Sequence, residues 1–253
     1  MTGSSDTEAN PKLVRDEFIE VDDTARVTDT VQIGVREYLS MTHIWSACFF
    51  SRSAQGLEQI DDGLPDRTER HFAFVTAAIG AAADFLDATV NELVKDAREG
   101  HTGGPTQHMT AGQRARIAVV VVGLQRPIVE KYDEAAKAAG LVPLTRGSGV
   151  GQEAALLLAV KNALTHWVPE TVTTYADNPK ELTVQEMERR LRGLTLAVNP
   201  LAHASNPYFP RRAASHQLAS WCCRTATAYV DAYFVLFGIP APYDHIRGSL
   251  IPG

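Results

Sequence analysis

The chain has 253 residues, 45% of them hydrophobic and 21% charged, with a formal net charge of -6. That is the profile of a globular protein with one large core or two small ones, and it excludes a collagen-like, a wholly disordered or a disulfide-stapled chain. Three cysteines, Cys48 and the neighbours Cys222 and Cys223, offer no bridge pattern and point to a reducing cytoplasm; the first residues lack a signal-peptide pattern and no apolar run of spanning length stands out, so no membrane is expected.

The charge is unevenly placed. Residues 1–30 hold eight acids against three bases, nearly all of the net charge, and residues 1–27 are too poor in apolar side chains to offset their ordering entropy. They are expected to form a disordered acidic tail, leaving 28–253 as a single all-α domain. From Asp29 onward, Val31, Val35, Leu39, Trp45 and Phe49 follow a helical spacing that predicts a first helix. Residues 70–98 carry the clearest pattern, with Phe72, Val75, Ile79, Ala82, Phe85, Leu86, Val90 and Leu93 on one side, many alanines, and a single Gly80 that would let another helix approach closely.

After the breaker HTGGPTQH, a helix capped by Thr110 is expected to run through the valines of IAVVVV as far as Arg126-Pro127. The next starts at Pro127 and stops at Gly140. Another spans about 152–167 and ends before Pro169. A short helix follows over 183–192, with Thr183 and Glu186 as a capping box. A loop rich in Asn and Pro then leads to a last helix over about 213–237, striped by Leu218, Cys222, Thr225, Tyr229 and Tyr233. From Lys180 to the end, eight bases stand against five acids, with Arg189, Arg190, Arg192, Arg211, Arg212 and Arg224 concentrated there. Such a surface suits a phosphate-bearing partner as well as ordinary solvated helices.

The stretch Lys161-Asn162-Ala163-Leu164-Thr165-His166 carries the most chemistry. Asn162 and His166 are four apart and share a helix face, which continues backward through the small residues Ala159 and Ala155 and so suits close packing of a second helix. Asp84, Asp87 and Asn91 share a face of the 70–98 helix; with Glu92 and His216 they are candidates to reach the same groove, or else serve as solvated and structural positions. His101 and His108 lack the companions of a metal site, and RGSGVGQE lacks the lysine and the preceding strand of a phosphate loop, so no metal or cofactor is expected. The cysteines read as core thiols.

KNALTH resembles the RNxxxH signature of the HEPN family, with lysine where the family has arginine. Two further stretches are similar to bacterial HEPN-like proteins. These are Phe85–Leu93, matching an FLEATINEL pattern, and Asn199-Pro200, Pro207–Pro210, Ser215-His216 and Trp221, matching NP…PFFP…LSH…W. The likeness covers about residues 70–238. It implies an all-α HEPN-like helical bundle, a homodimer packed through the face bearing Asn162 and His166, and a metal-independent endoribonuclease of toxin or defence type, with an antitoxin protein as a possible partner. In that scheme His166 takes the proton of the attacking 2′-hydroxyl, Asn162 positions, and Lys161 stabilises charge on the phosphoryl oxygens. Lysine is a flexible point charge where arginine is a planar fork. The alternative is a catalytically silent HEPN-like module that binds RNA, a nucleotide or a protein.

Overall fold

Helix α2 (Arg67–Glu99) is the axis of the bundle because its apolar positions recur through nine turns: Val75, Ile79, Ala82, Phe85, Leu86, Val90 and Leu93 are all buried. The left-handed Gly100, at φ 71°, ends it, and the amide of His101 returns to the Asp96 carbonyl at 2.9 Å. The structure, a computed structural model, describes residues 35–60, 63, 65–123, 125–144, 149–167 and 182–253, without the side chains of 182–185. The expected acidic tail, the start of the first helix before residue 35, Pro169 and the first three residues of RGSGVGQE lie outside these residues.

Seven α-helices, three short helical turns and no strand are found among the described residues, so the all-α bundle is as the periodicity predicts. Contacts divide the chain after Arg36, and Glu37–Gly253 form one unit around one core. Helix α1 (Leu39–Gln59) lies along α2, α7 (His216–Leu236) packs on both, and α5 (Gly149–Thr165) rests on α2 and α7. An 18-residue window of α2 reaches a mean hydropathy of 1.5, enough by composition to cross a membrane, although no such run stood out in the sequence; half of that window is buried in the bundle.

Helix α1 has no capping side chain of its own. Its cap comes from α2, where Glu92 accepts the Ser40 amide at 2.9 Å and the Ser40 hydroxyl at 2.5 Å. Burial pushes the Glu92 carboxyl above its ordinary range, the two Ser40 hydrogen bonds oppose the rise, and Asp96 adds to it. A raised carboxyl pKa means that the folded state prefers the neutral form, so this group's contribution to stability shrinks as pH rises from the ordinary glutamate value through the folded one. Glu92→Gln keeps an acceptor for Ser40 without a buried charge. The variant is expected to match or exceed the parent in melting temperature at neutral pH, with its advantage shrinking on mild acidification.

Three elements depart from the expected boundaries. Helix α1 begins only at Leu39; residues 35–38, expected within it, are non-helical, and Val35 is exposed. Helix α3 spans only Ala111–Ile117, although Thr110 caps it with Gln113 as a full capping box. The β-branched run that follows is a poor helix former, and the Arg98 guanidinium takes the Ala118 and Val120 carbonyls, satisfying the helix end there. Val119 and Val121 therefore point outward in a non-helical segment. Helix α6 (Leu182–Arg192) begins one residue before Thr183, which places that residue inside the helix, and Glu186 pairs with Arg189. Helix α4 (Ile128–Ala138) starts after Pro127 as expected, and Ser215 caps α7 by accepting the Leu218 amide. All three cysteines are buried and free.

A cationic cleft at the end of α5 and a carboxylate between two histidines

Helical geometry decides how the KNALTH segment divides. Lys161, Leu164 and Thr165 recur at the three- and four-residue spacing and face α2, where Phe72, Thr76, Ile79 and Gly80 form a matching row; the turn bearing Pro210 and Arg211 closes the remaining side. Together they enclose a cleft of about 490 Å³, within the range of small-ligand sites. Five residues of helix turn a side chain by about 140°, so His166 points elsewhere than Lys161. The amide of His166 continues the helix by donating to the Asn162 carbonyl at 2.9 Å. Asn162 and His166 thus share a stripe that is solvent-exposed, and His166 stands between two cleft residues, Thr165 and Trp167.

Within the cleft, the cations differ in freedom. Arg211 lies 4.3 Å over the Phe72 ring and pairs with Glu69 at 3.1 Å, so its guanidinium is held in place and partly neutralised. Lys161 is half-buried and makes no ion pair among the described residues. The Arg211 turn is itself fixed by Asn199, a buried residue of the NP motif. Its amide donates to the Arg212 carbonyl at 2.8 Å, its side-chain nitrogen to the Arg211 carbonyl at 3.1 Å, and its side-chain oxygen accepts the Leu201 amide at 2.9 Å. Trp167, 40% exposed, leans on Phe209 with ring centroids 6.1 Å apart.

Gly80 does not serve the close helix approach expected of it. A methyl group built there meets nothing within 4 Å, so the missing side chain opens the cleft instead.

Asp84, Asn91, Glu92 and His216 do not line the cleft. Asp84 is exposed. Asn91 and Asp87 hold the buried Lys131 ammonium at 3.1 and 2.6 Å, and Glu92 is occupied in capping α1. His216 belongs to a second polar cluster, whose other members, Glu58 and His71, the sequence does not single out. The Glu58 carboxylate, only 8% exposed, accepts from His71 Nε2 at 2.7 Å, from His216 Nδ1 at 2.5 Å and from the His216 amide at 2.6 Å. Burial pushes the Glu58 carboxyl up, but the hydrogen bonds from His71 and then His216 outweigh it and hold the group below the ordinary range. His71 is fully buried, and its Nδ1 has no partner among the described residues.

Neither cluster groups three His, Cys, Asp or Glu side chains in a metal-holding arrangement among the described residues. Compared with protein-family models, with curated proteins and with solved structures, the chain has no significant match.

Proposed function

We propose that the protein is a helical RNA-binding module that takes a phosphodiester at the end of α5. The observation that carries this reading is the Lys161 ammonium, without an ion pair among the described residues, sharing a cleft with the Arg211 guanidinium fixed over Phe72 and with the solvent-open Trp167 indole. Cations that follow a backbone and aromatic faces that receive bases are the two ingredients of single-strand binding. The resemblance of KNALTH to the HEPN signature supports the same class of partner.

The test is the salt dependence of binding to a fluorescent single-stranded RNA. Each neutralised phosphate on a single strand contributes a slope of about 0.7 in log affinity against log salt. Lys161→Ala is expected to weaken binding and to lower that slope by about 0.7, whereas Lys95→Ala, on the exposed end of α2, leaves both unchanged. An unchanged slope in Lys161→Ala removes the reading.

A second reading, metal-independent cleavage, is favoured by one observation: the His166 ring is exposed and makes no hydrogen bond among the described residues, although its chain neighbours line the cleft. An imidazole there is open to a strand bound alongside. Because Lys161 faces away from it within one chain, this reading pairs the exposed Asn162 and His166, with the half-buried Ala155 and Ala159 behind them, with their equals in a second copy, so that the cation comes from the second chain. Incubation of labelled RNA in EDTA is expected to yield cyclic-phosphate ends that disappear in His166→Ala. Cleavage that survives that substitution, or intact RNA with the parent protein, leaves binding as the function.

A further inference from the structure

The cleft holds more than a phosphate would need. Its cations account for a charged ligand group, but Ile79, Gly80 and Leu164 add an apolar surface, the Trp167 indole is open to solvent, and the space above Gly80 is empty to at least 4 Å. Thr165 offers a hydroxyl that makes no hydrogen bond among the described residues, four positions from Lys161 on the same side of α5. Charge, a hydroxyl donor-acceptor, a flat aromatic and an apolar recess within about 490 Å³ match the composition of a nucleotide rather than that of a bare anion.

We infer that the cleft receives one whole unstacked nucleotide, its phosphate on Lys161 and Arg211 and its base in the recess over Gly80 beside Trp167. The inference rests on the RNA-binding reading and narrows it to unpaired nucleotides. A base within a duplex keeps its faces against its neighbours and cannot enter a recess in a protein, whereas loops and single strands present bases that stack on aromatic and guanidinium planes. The shared chemistry is a nucleoside monophosphate unit, whether free or within a strand.

The experiment titrates the full chain with a short oligoadenylate, with the same strand annealed to oligouridylate, and with adenosine monophosphate, each by calorimetry. The single strand is expected to bind at least about tenfold more tightly than the duplex, and the mononucleotide to compete with it. Tighter binding of the duplex overturns the inference. Competition by the mononucleotide at concentrations comparable to the oligonucleotide identifies a free nucleotide as the ligand; competition only in large excess identifies the strand.

Gly80→Leu extends into the recess without touching a charge, and its Cβ meets nothing within 4 Å. It is expected to weaken oligoadenylate at least about fivefold, the loss of one stacked base, with an unchanged salt slope and no fall in melting temperature. If Gly80→Leu unfolds the protein, Gly80→Ala, which raises helix propensity, and Trp167→Ala take its place with the same expected direction. Parent-like affinity in the recess variants beside a loss in Lys161→Ala overturns the nucleotide pocket and leaves RNA binding standing. Absence of any RNA binding by the parent overturns both.

Discussion

Glu58→Ala is expected to cost about 3–5 kcal/mol, the range for stripping one partner from a buried charged cluster. The carboxylate ties three helices at one point: it sits near the end of α1, takes a hydrogen bond from His71 in α2, and takes two from His216, one of them the first backbone amide of α7. Truncation leaves both imidazoles and that amide without this acceptor, His71 in a fully buried position and His216 in a partly buried one, and each buried group so stranded costs about 1–3 kcal/mol. Urea titration of the variant against the parent, read by helical circular dichroism, measures the difference. A loss below 1 kcal/mol would show that the three helices dock without this acceptor.

The same carboxylate sets an acid limb. Its folded pKa lies below the ordinary glutamate value of 4.5, so the unfolded chain binds the proton more readily. The stabilisation is complete above the unfolded value and is lost as pH falls through the folded one. Glu58→Gln retains the shape and one acceptor, and His216 can present an unprotonated Nδ1 to the new amide. The variant is expected to start less stable at neutral pH and to lose less on acidification, so the two curves converge. Glu92, with its shift in the opposite direction, contributes an opposite slope from the other end of α1, where it holds Ser40, and the two glutamine variants together separate the contributions.

Helix positions dictated by a stripe of core residues were legible in the sequence: α2, α4, α5 and α7 occur where the apolar period places them, and Pro127 and Gly140 bound α4; Ser215, capping an α7 that begins three residues after the expected start, carries no such signal in its context. The run Val119–Val122 was not, because its fate is decided by Arg98, twenty residues upstream, offering hydrogen bonds that replace further helix. The candidate site divided in the same way. The importance of the Lys161–His166 segment can be read from its residues, and helical phase alone separates Lys161 from Asn162 and His166. Arg211 and Phe72 enter only through tertiary packing, and Gly80 carries a sequence signal that suits helix packing equally well. Glu58 and His71 sit in unremarkable contexts, GLEQI and RHF; no local spacing announces that a carboxylate will meet two imidazoles across three helices.

Tyr132→Ala is expected to be the most damaging single change in the core after Glu58→Ala, at about 3–5 kcal/mol by analogy with other large aromatic truncations. Tyr132 is 1% exposed and meets Tyr229 and Tyr233 of α7 edge-on, at ring-centroid distances of 5.1 and 4.6 Å, the geometry that aromatic quadrupoles prefer. Its hydroxyl donates to the Leu86 carbonyl of α2 at 2.7 Å. Its chain neighbour Lys131 reaches Asp87 and Asn91 of the same helix, so two adjacent residues dock α4 by unlike means. Tyr132→Phe removes only the hydroxyl and is expected to cost about 1 kcal/mol. Lys131→Met replaces a desolvated ammonium by an apolar chain of similar length. Asp87 is one-third exposed and can recover water, so this variant is expected to stay within about 1 kcal/mol of the parent or to exceed it. Urea midpoints that rank Tyr132→Ala far below both other variants would assign the docking of α4 to aromatic packing; a collapse of Lys131→Met to the same level would assign it to the ion pair instead.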